Sequence, residues 1–194
     1  MKQEDVFRLF GIGDIKDLPN VVEDVVLGDT GRRDEVYHRL MELNRYDFSY
    51  DWFQGVYEEE LAQRKKNKQD FTPVEVAVLA SRLTLRKGAL HEPTAGTGSM
   101  VIADWWERCR SMLPFEFFPS QHMVYAWELS PRAIPILLLN LSIRGIMGYV
   151  YHGDVLENKV EQKYILLNRH DDPLAFSEVI KVGMGQIIRR DESC

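Results

Sequence analysis

The chain has 194 residues with a formal charge of −6, 28% charged and 45% apolar residues, and only two cysteines, Cys109 and the terminal Cys194. That is enough for one compact domain with an appendage, not for two full domains; the cysteine usage argues against a disulfide framework and for a reducing, cytoplasmic setting, and no apolar run is long enough for a membrane span. The start, Met1-Lys2-Gln3-Glu4-Asp5, is not a signal peptide, and the acidic balance argues against a free-standing nucleic-acid binder, although a basic groove can sit on an acidic body.

Residues 1–68 read as a helical lead without strands. Val6, Leu9 and Phe10 form a short apolar face, Gly11, Gly13 and Leu18-Pro19-Asn20 punctuate it, and Val36, Leu40 and Leu43 repeat at helical spacing. Phe53, Val56, Tyr57 and Leu61 repeat in the same way and lead into the basic run Arg64-Lys65-Lys66-Asn67-Lys68, which reads as a solvated helix end and linker. The apolar faces must be buried, so the lead should pack on the remainder of the chain.

From residue 69 the pattern alternates between helix and strand. Thr72-Pro73 opens a helix as N-cap and first helical residue, carrying Val74, Val76, Leu79 and Leu83. A strand at 89–91 meets the turn Glu92-Pro93-Thr94-Ala95-Gly96-Thr97-Gly98, and a helix follows from Ser99 to Met112. Pro114 and Pro119 mark 113–121 as a loop. Met123 to Trp127 reads as a strand ending at Glu128, Ser130-Pro131 as the start of a helix that closes at Gly145, Tyr149 to His152 as a third strand ending at Gly153-Asp154, and Tyr164 to Leu167 as a fourth ending at Asn168. Ile180 to Val182 and Ile187-Ile188 offer one or two edge strands. The alternation predicts an α/β fold with a mostly parallel sheet covered by helices.

In such sheets ligands bind outside the carboxyl ends of the strands. The sequence sets a polar residue at each predicted strand end: Glu92, Glu128, Asp154 and Asn168. The glycines Gly96 and Gly98 let the backbone turn sharply and approach a ligand, because no Cβ stands in the way. The helix from Ser99 points its free N–H groups at the same corner. An acid ending the second strand can accept from ribose hydroxyls and one ending the third from a purine amine, with Leu129 and Val155 walling the base. Singly, such acids are also what soluble loops and helix caps carry; as a set along one sheet edge they point to a nucleoside site. No histidine has metal-ligand spacing with the cysteines, so no metal site is expected. The glycine turn lacks the lysine–serine/threonine end of a P-loop.

The order Gln69-Asp70-Phe71-Thr72-Pro73, then Glu92-Pro93-Thr94-Ala95-Gly96-Thr97-Gly98, then Glu128, then Gly153-Asp154 resembles that of the N6-adenine DNA methyltransferases. Within them it is most similar to the modification subunit of type I restriction systems and related phage methylases, over roughly residues 50–168. The resemblance implies a Rossmann-like methyltransferase fold at 69–194 behind the helical segment 1–68, with S-adenosylmethionine (SAM) as cofactor and DNA as substrate. It implies that Phe71, Thr72 and Pro73 line the methionine end of SAM, with Glu92, Pro93 and Thr94 at its ammonium group. Gly96 and Gly98 would pass beneath it, Glu128 would hold the ribose, and Asp154 the adenine amine.

The departure lies at the fourth strand. The family places asparagine or aspartate, two prolines and an aromatic there, to hold the target amine and stack on the flipped base. Here Asn168 occupies the asparagine's place, but Arg169, His170 and Asp171 follow it. About seven strands complete the family's sheet, and four are clear here. Two functions follow. One is methyl transfer from SAM to adenine in DNA, with Asn168 orienting the amine. The other is SAM binding without catalysis, acting through a partner protein or homo-oligomer, as a regulator or restriction antagonist.

Overall fold

The computed structural model describes residues 2–56, 74–84 and 88–183. Among these lie helices α1 (Gln3–Phe10), α2 (Leu18–Leu27), α3 (Thr30–Leu43), α4 (Val74–Thr84), α5 (Ser99–Arg110) and α6 (Ala133–Ser142), and strands β1 (Leu90–Glu92), β2 (Val124–Glu128), β3 (Gly148–Asp154), β4 (Lys159–Leu167) and β5 (Glu178–Val182). The Phe71-Thr72-Pro73 motif, the basic run and Ile187-Ile188 lie outside the described residues.

Up to Leu43 the helical lead forms as its apolar spacing predicts, with boundaries set by caps, and the stretch Tyr57 to Lys68 lies outside the described residues. Gly11 closes α1 in the left-handed conformation, Pro19 stands in the first turn of α2, and the Asp29 carboxylate accepts the Arg32 N–H at 3.0 Å to open α3. Helix α6 carries only two polar residues, Asn140 and Ser142, and every one of its residues is buried, as expected of a helix that is hydrophobic on nearly all sides. It packs against α2, β4 and β5. Val22, Val25 and Val26 of the lead share one core with Leu137, Leu138 and Leu141 of α6 and with Val124, Val150 and Leu166 of the sheet.

The five strands stand in the order β1-β2-β3-β4-β5. Strands β1, β2 and β3 are parallel, each joined to the next through a helix. Strand β4 pairs antiparallel with β3, and β5 antiparallel with β4, so β4 alone runs against the other four. The cause is the connection. Only residues 155–158 separate β3 from β4, whereas a parallel crossover takes a dozen residues or more. Asp154 nucleates the turn by accepting the N–H groups of Leu156 and Glu157 at 2.9 and 3.2 Å. The mostly parallel sheet therefore stands, but the fourth strand is the second arm of a hairpin.

Alternation along β2 and β3 buries Val124, Ala126 and Val150 and leaves Tyr125, Trp127, Tyr149 and Tyr151 half-buried on the other face. There the rings stack across strands, Trp127 on Tyr151 at 4.8 Å between centroids, which stabilises adjacent strands by cross-strand contact.

Candidate functional site

The carboxyl ends of β1, β2 and β3 form one edge. At the end of β1 the Glu92 carboxylate accepts from the Thr94 N–H and hydroxyl at 3.1 and 3.4 Å, folding the chain back through exposed Pro93 and Thr94. The Ala95 N–H then donates to the Trp127 carbonyl at 2.8 Å, tying the glycine turn to β2. Gly96 and Gly98 both take left-handed backbone angles, φ +56° and +106°. They face opposite ways. Among the described residues, a Cβ on Gly96 would meet nothing within 4 Å, whereas one on Gly98 would come 3.0 Å from the Leu137 side chain. One glycine thus borders open space, and the other lets the turn settle on α6.

Glu128, buried at the end of β2, joins the two strand ends. One of its oxygens accepts the Gly96 N–H and the other the Ser130 N–H, each at 2.7 Å. Each carboxylate oxygen has a second lone pair, so acceptor capacity remains at its exposed margin. Leu129 beside it is 61% exposed and offers an apolar wall. Asp154 ends β3 on the same edge, but one of its oxygens is engaged in the hairpin turn. Val155 is half-buried in that turn.

The glycine turn is braced from behind by groups that local sequence does not reveal. Asp51, buried in the helical lead, accepts from Thr97 Oγ1 at 2.5 Å and Ser99 Oγ at 3.2 Å with one oxygen, and from Asn140 Nδ2 at 2.8 Å and the Phe53 N–H at 2.9 Å with the other. Asn140 also donates to the Thr97 carbonyl at 2.9 Å. Arg144 completes the cluster, donating to the carbonyls of Phe48, Tyr50 and Asn140 and lying 4.8 Å over the Trp52 ring. Burial pulls its pKa down to about 10, with the charge of Asp51 opposing.

Asn168 is not part of this edge. Because β4 runs backwards, its end lies beside the start of β3, with Leu166 paired to Gly148. The expectation of four polar strand ends along one edge is corrected on this point: Glu92, Glu128 and Asp154 share an edge, and Asn168 closes the opposite one. Its amide is also engaged. It is 2% exposed, donates to the carbonyls of Gly145, Asp172 and Ala175, and accepts the Asp172 N–H. Those bonds shape the β4–β5 loop.

Among the described residues no group of three histidine, cysteine or acidic side chains could hold a metal, and no helix is long and apolar enough to cross a membrane. Comparison of the chain with protein-family models, curated proteins and solved structures found no match.

Proposed function

We propose that the β1–β3 edge binds SAM and that this chain acts as a SAM-binding module, with its effect read out by a partner, rather than as an adenine methylase working through Asn168. The observation that carries this is the 2.7 Å bond from the Gly96 N–H to Glu128. It fuses the glycine turn and the second strand end into one corner, with no described residue against the ligand side of Gly96. The acceptor set suits the ligand, with Glu92 for the ammonium group, Glu128 for a ribose hydroxyl and Asp154 for the purine amine, and Leu129 and Val155 stand against the flat base. Phe71, Thr72 and Pro73 belong to the same site by resemblance alone. When bound, SAM supplies an electrophilic methyl group. The chain's own residues bind and orient the ligand and hold its charged end against an acid.

Against adenine methylation by the family's route stands the position of Asn168. An amide that must accept from the target amine beside the sulfonium has to lie on the cofactor's edge, and this one is on the other. Titration calorimetry with SAM should show one site, weakened at least tenfold in Glu128→Ala; a wild-type protein that binds no SAM would refute the assignment. Labelled SAM offered with adenine-containing DNA should yield no methylated adenine. Transfer that is abolished by Asn168→Ala in a folded protein would instead establish the enzyme.

A further inference from the structure

A second concavity lies at the opposite edge of the sheet. The loop before β2, the α6–β3 connection and the β4–β5 loop meet the last turns of α5 there. They enclose a cleft of about 710 Å³, within the roughly 300–1,000 Å³ range of small-molecule sites. Its walls carry seven phenylalanine and tryptophan rings, among them Trp105, Trp106, Phe115, Phe118 and Phe176. Phe115 is 73% and Phe118 42% exposed, so the rings continue onto an open lip.

The cleft is braced rather than collapsed. Asp171, a non-glycine residue at φ +52°, is held in that unfavourable conformation by two bonds from Ser120, N–H to Oδ1 at 2.7 Å and Oγ to Oδ2 at 2.6 Å. These lock the β4–β5 loop to the turn at Pro119–Gln121, and Asn168 fixes the loop from below. Backbone strain that the surroundings enforce is a feature of binding sites.

The cleft carries an acidic pair. The charged or ionisable side chains lining the cleft are Arg144, His170, Asp171, Asp172 and the Cys109 thiol. Arg144 is buried, with its guanidinium committed to three carbonyls on the core side. Cys109 is kept a neutral thiol by burial. Asp171 and Asp172 therefore set two carboxylates beside the His170 imidazole over aromatic walls. Aromatic faces attract cations through the ring quadrupole, and most strongly where water is excluded.

We propose that this cleft is a binding site for a small organic cation, an ammonium group carried on an aromatic or apolar body. The rings of the lip and of α5 would stack on the body and face the cation, and Asp172 would balance its charge. This site is separate from the glycine-turn edge and does not depend on SAM binding there.

The test uses the full chain and three probes of similar size: benzyltrimethylammonium, benzyl alcohol and phenylacetate. Binding is followed by saturation-transfer NMR and by tryptophan fluorescence. The cation should bind most tightly. Phe118→Ala and Asp172→Asn should each weaken it roughly fivefold, and Asp172→Asn should leave benzyl alcohol unchanged. Both side chains are exposed, and asparagine can still accept the Leu174 N–H that Asp172 Oδ1 accepts at 2.8 Å, so thermal melts should match wild type. No binding of the cation at millimolar concentration, no preference for it over the other two probes, or an affinity that neither substitution moves would overturn the site.

Discussion

Glu128 is nearly out of solvent, and a carboxylate is tolerated there because two backbone N–H groups meet it, one on each oxygen. Removing the side chain leaves both donors without that partner, at a cost of about 1–3 kcal/mol per buried group. Glu128→Ala should therefore lower the urea midpoint as well as SAM affinity. The two glycines of the turn separate these effects. An alanine at Gly96 meets the left-handed penalty of roughly 1–2 kcal/mol but no steric neighbour among the described residues. Gly96→Ala should fold, melt only slightly early, and fail to bind SAM because the methyl group occupies the ligand side. Gly98→Ala meets both a φ of +106° and the Leu137 side chain at 3.0 Å, so it should lose markedly more stability. Calorimetric titration beside thermal melts distinguishes the pair. Equal melting temperatures with intact SAM binding in Gly96→Ala would show that the open side of the turn is not where the ligand sits.

At the scale of the element, β1, β2, β3 and the helices between them follow from short apolar runs bounded by a glycine turn, an N-cap pair and proline loops, and the sequence shows all of these. The direction of β4 does not follow in the same way. Its first half, Lys159-Val160-Glu161-Gln162-Lys163, is mostly polar and reads as loop, which hides how short the β3–β4 connection is. In the fold that half already pairs with β3, and a connection of four residues allows only a hairpin. One misplaced strand boundary thus moves Asn168 to the wrong edge of the sheet. The consequence can be measured. Asn168→Ala removes the donor that gathers the carbonyls of Gly145, Asp172 and Ala175, and should destabilise the protein by about 1–3 kcal/mol while leaving SAM affinity unchanged. The converse result, normal stability with lost SAM binding, would return Asn168 to the ligand site. The loop before β2 holds a titrating element of its own. His122 stacks on Phe117 at 4.7 Å and has Arg108 Nη1 3.4 Å from its Nδ1. Desolvation, then the Arg108 charge, push its pKa below the ordinary 6.5. The unfolded chain therefore binds the proton first as pH falls, so stability present above about 6.5 is lost on acidification through the folded-state pKa. Urea melts between neutral and mildly acid pH should show this loss, and His122→Gln should flatten it.

The molecule as a whole is held together across its length by a buried polar cluster as well as by its core. Asp51 stands 46 residues from Thr97 and 89 from Asn140, and no local pattern announces such partners. Helical spacing does reveal that the lead must pack on something; it cannot reveal that one carboxylate of the lead sets the position of the glycine turn. Yet Asp51 accepts from the Phe53 N–H, the hydroxyls of Thr97 and Ser99 and the Asn140 amide, and the carboxylate's charge lies opposite that of Arg144. Asparagine at position 51 is nearly isosteric but offers a donor where at least one of four donors now points, and it withdraws the negative charge that Arg144 faces. Removing one member of a buried charged network costs about 3–5 kcal/mol; with the shape kept, Asp51→Asn should fall at or below the lower end of that range. The specific expectation concerns the turn. Hydrogen exchange at 95–99 should accelerate more than at α2 or α6, and SAM affinity should drop even though the Asp51 side chain is buried behind the turn. Uniform acceleration throughout the chain would mean that Asp51 serves global stability alone. Acceleration confined to the turn would show that the helical lead is part of the site's construction, so that a fragment beginning after it would not be expected to hold the ligand.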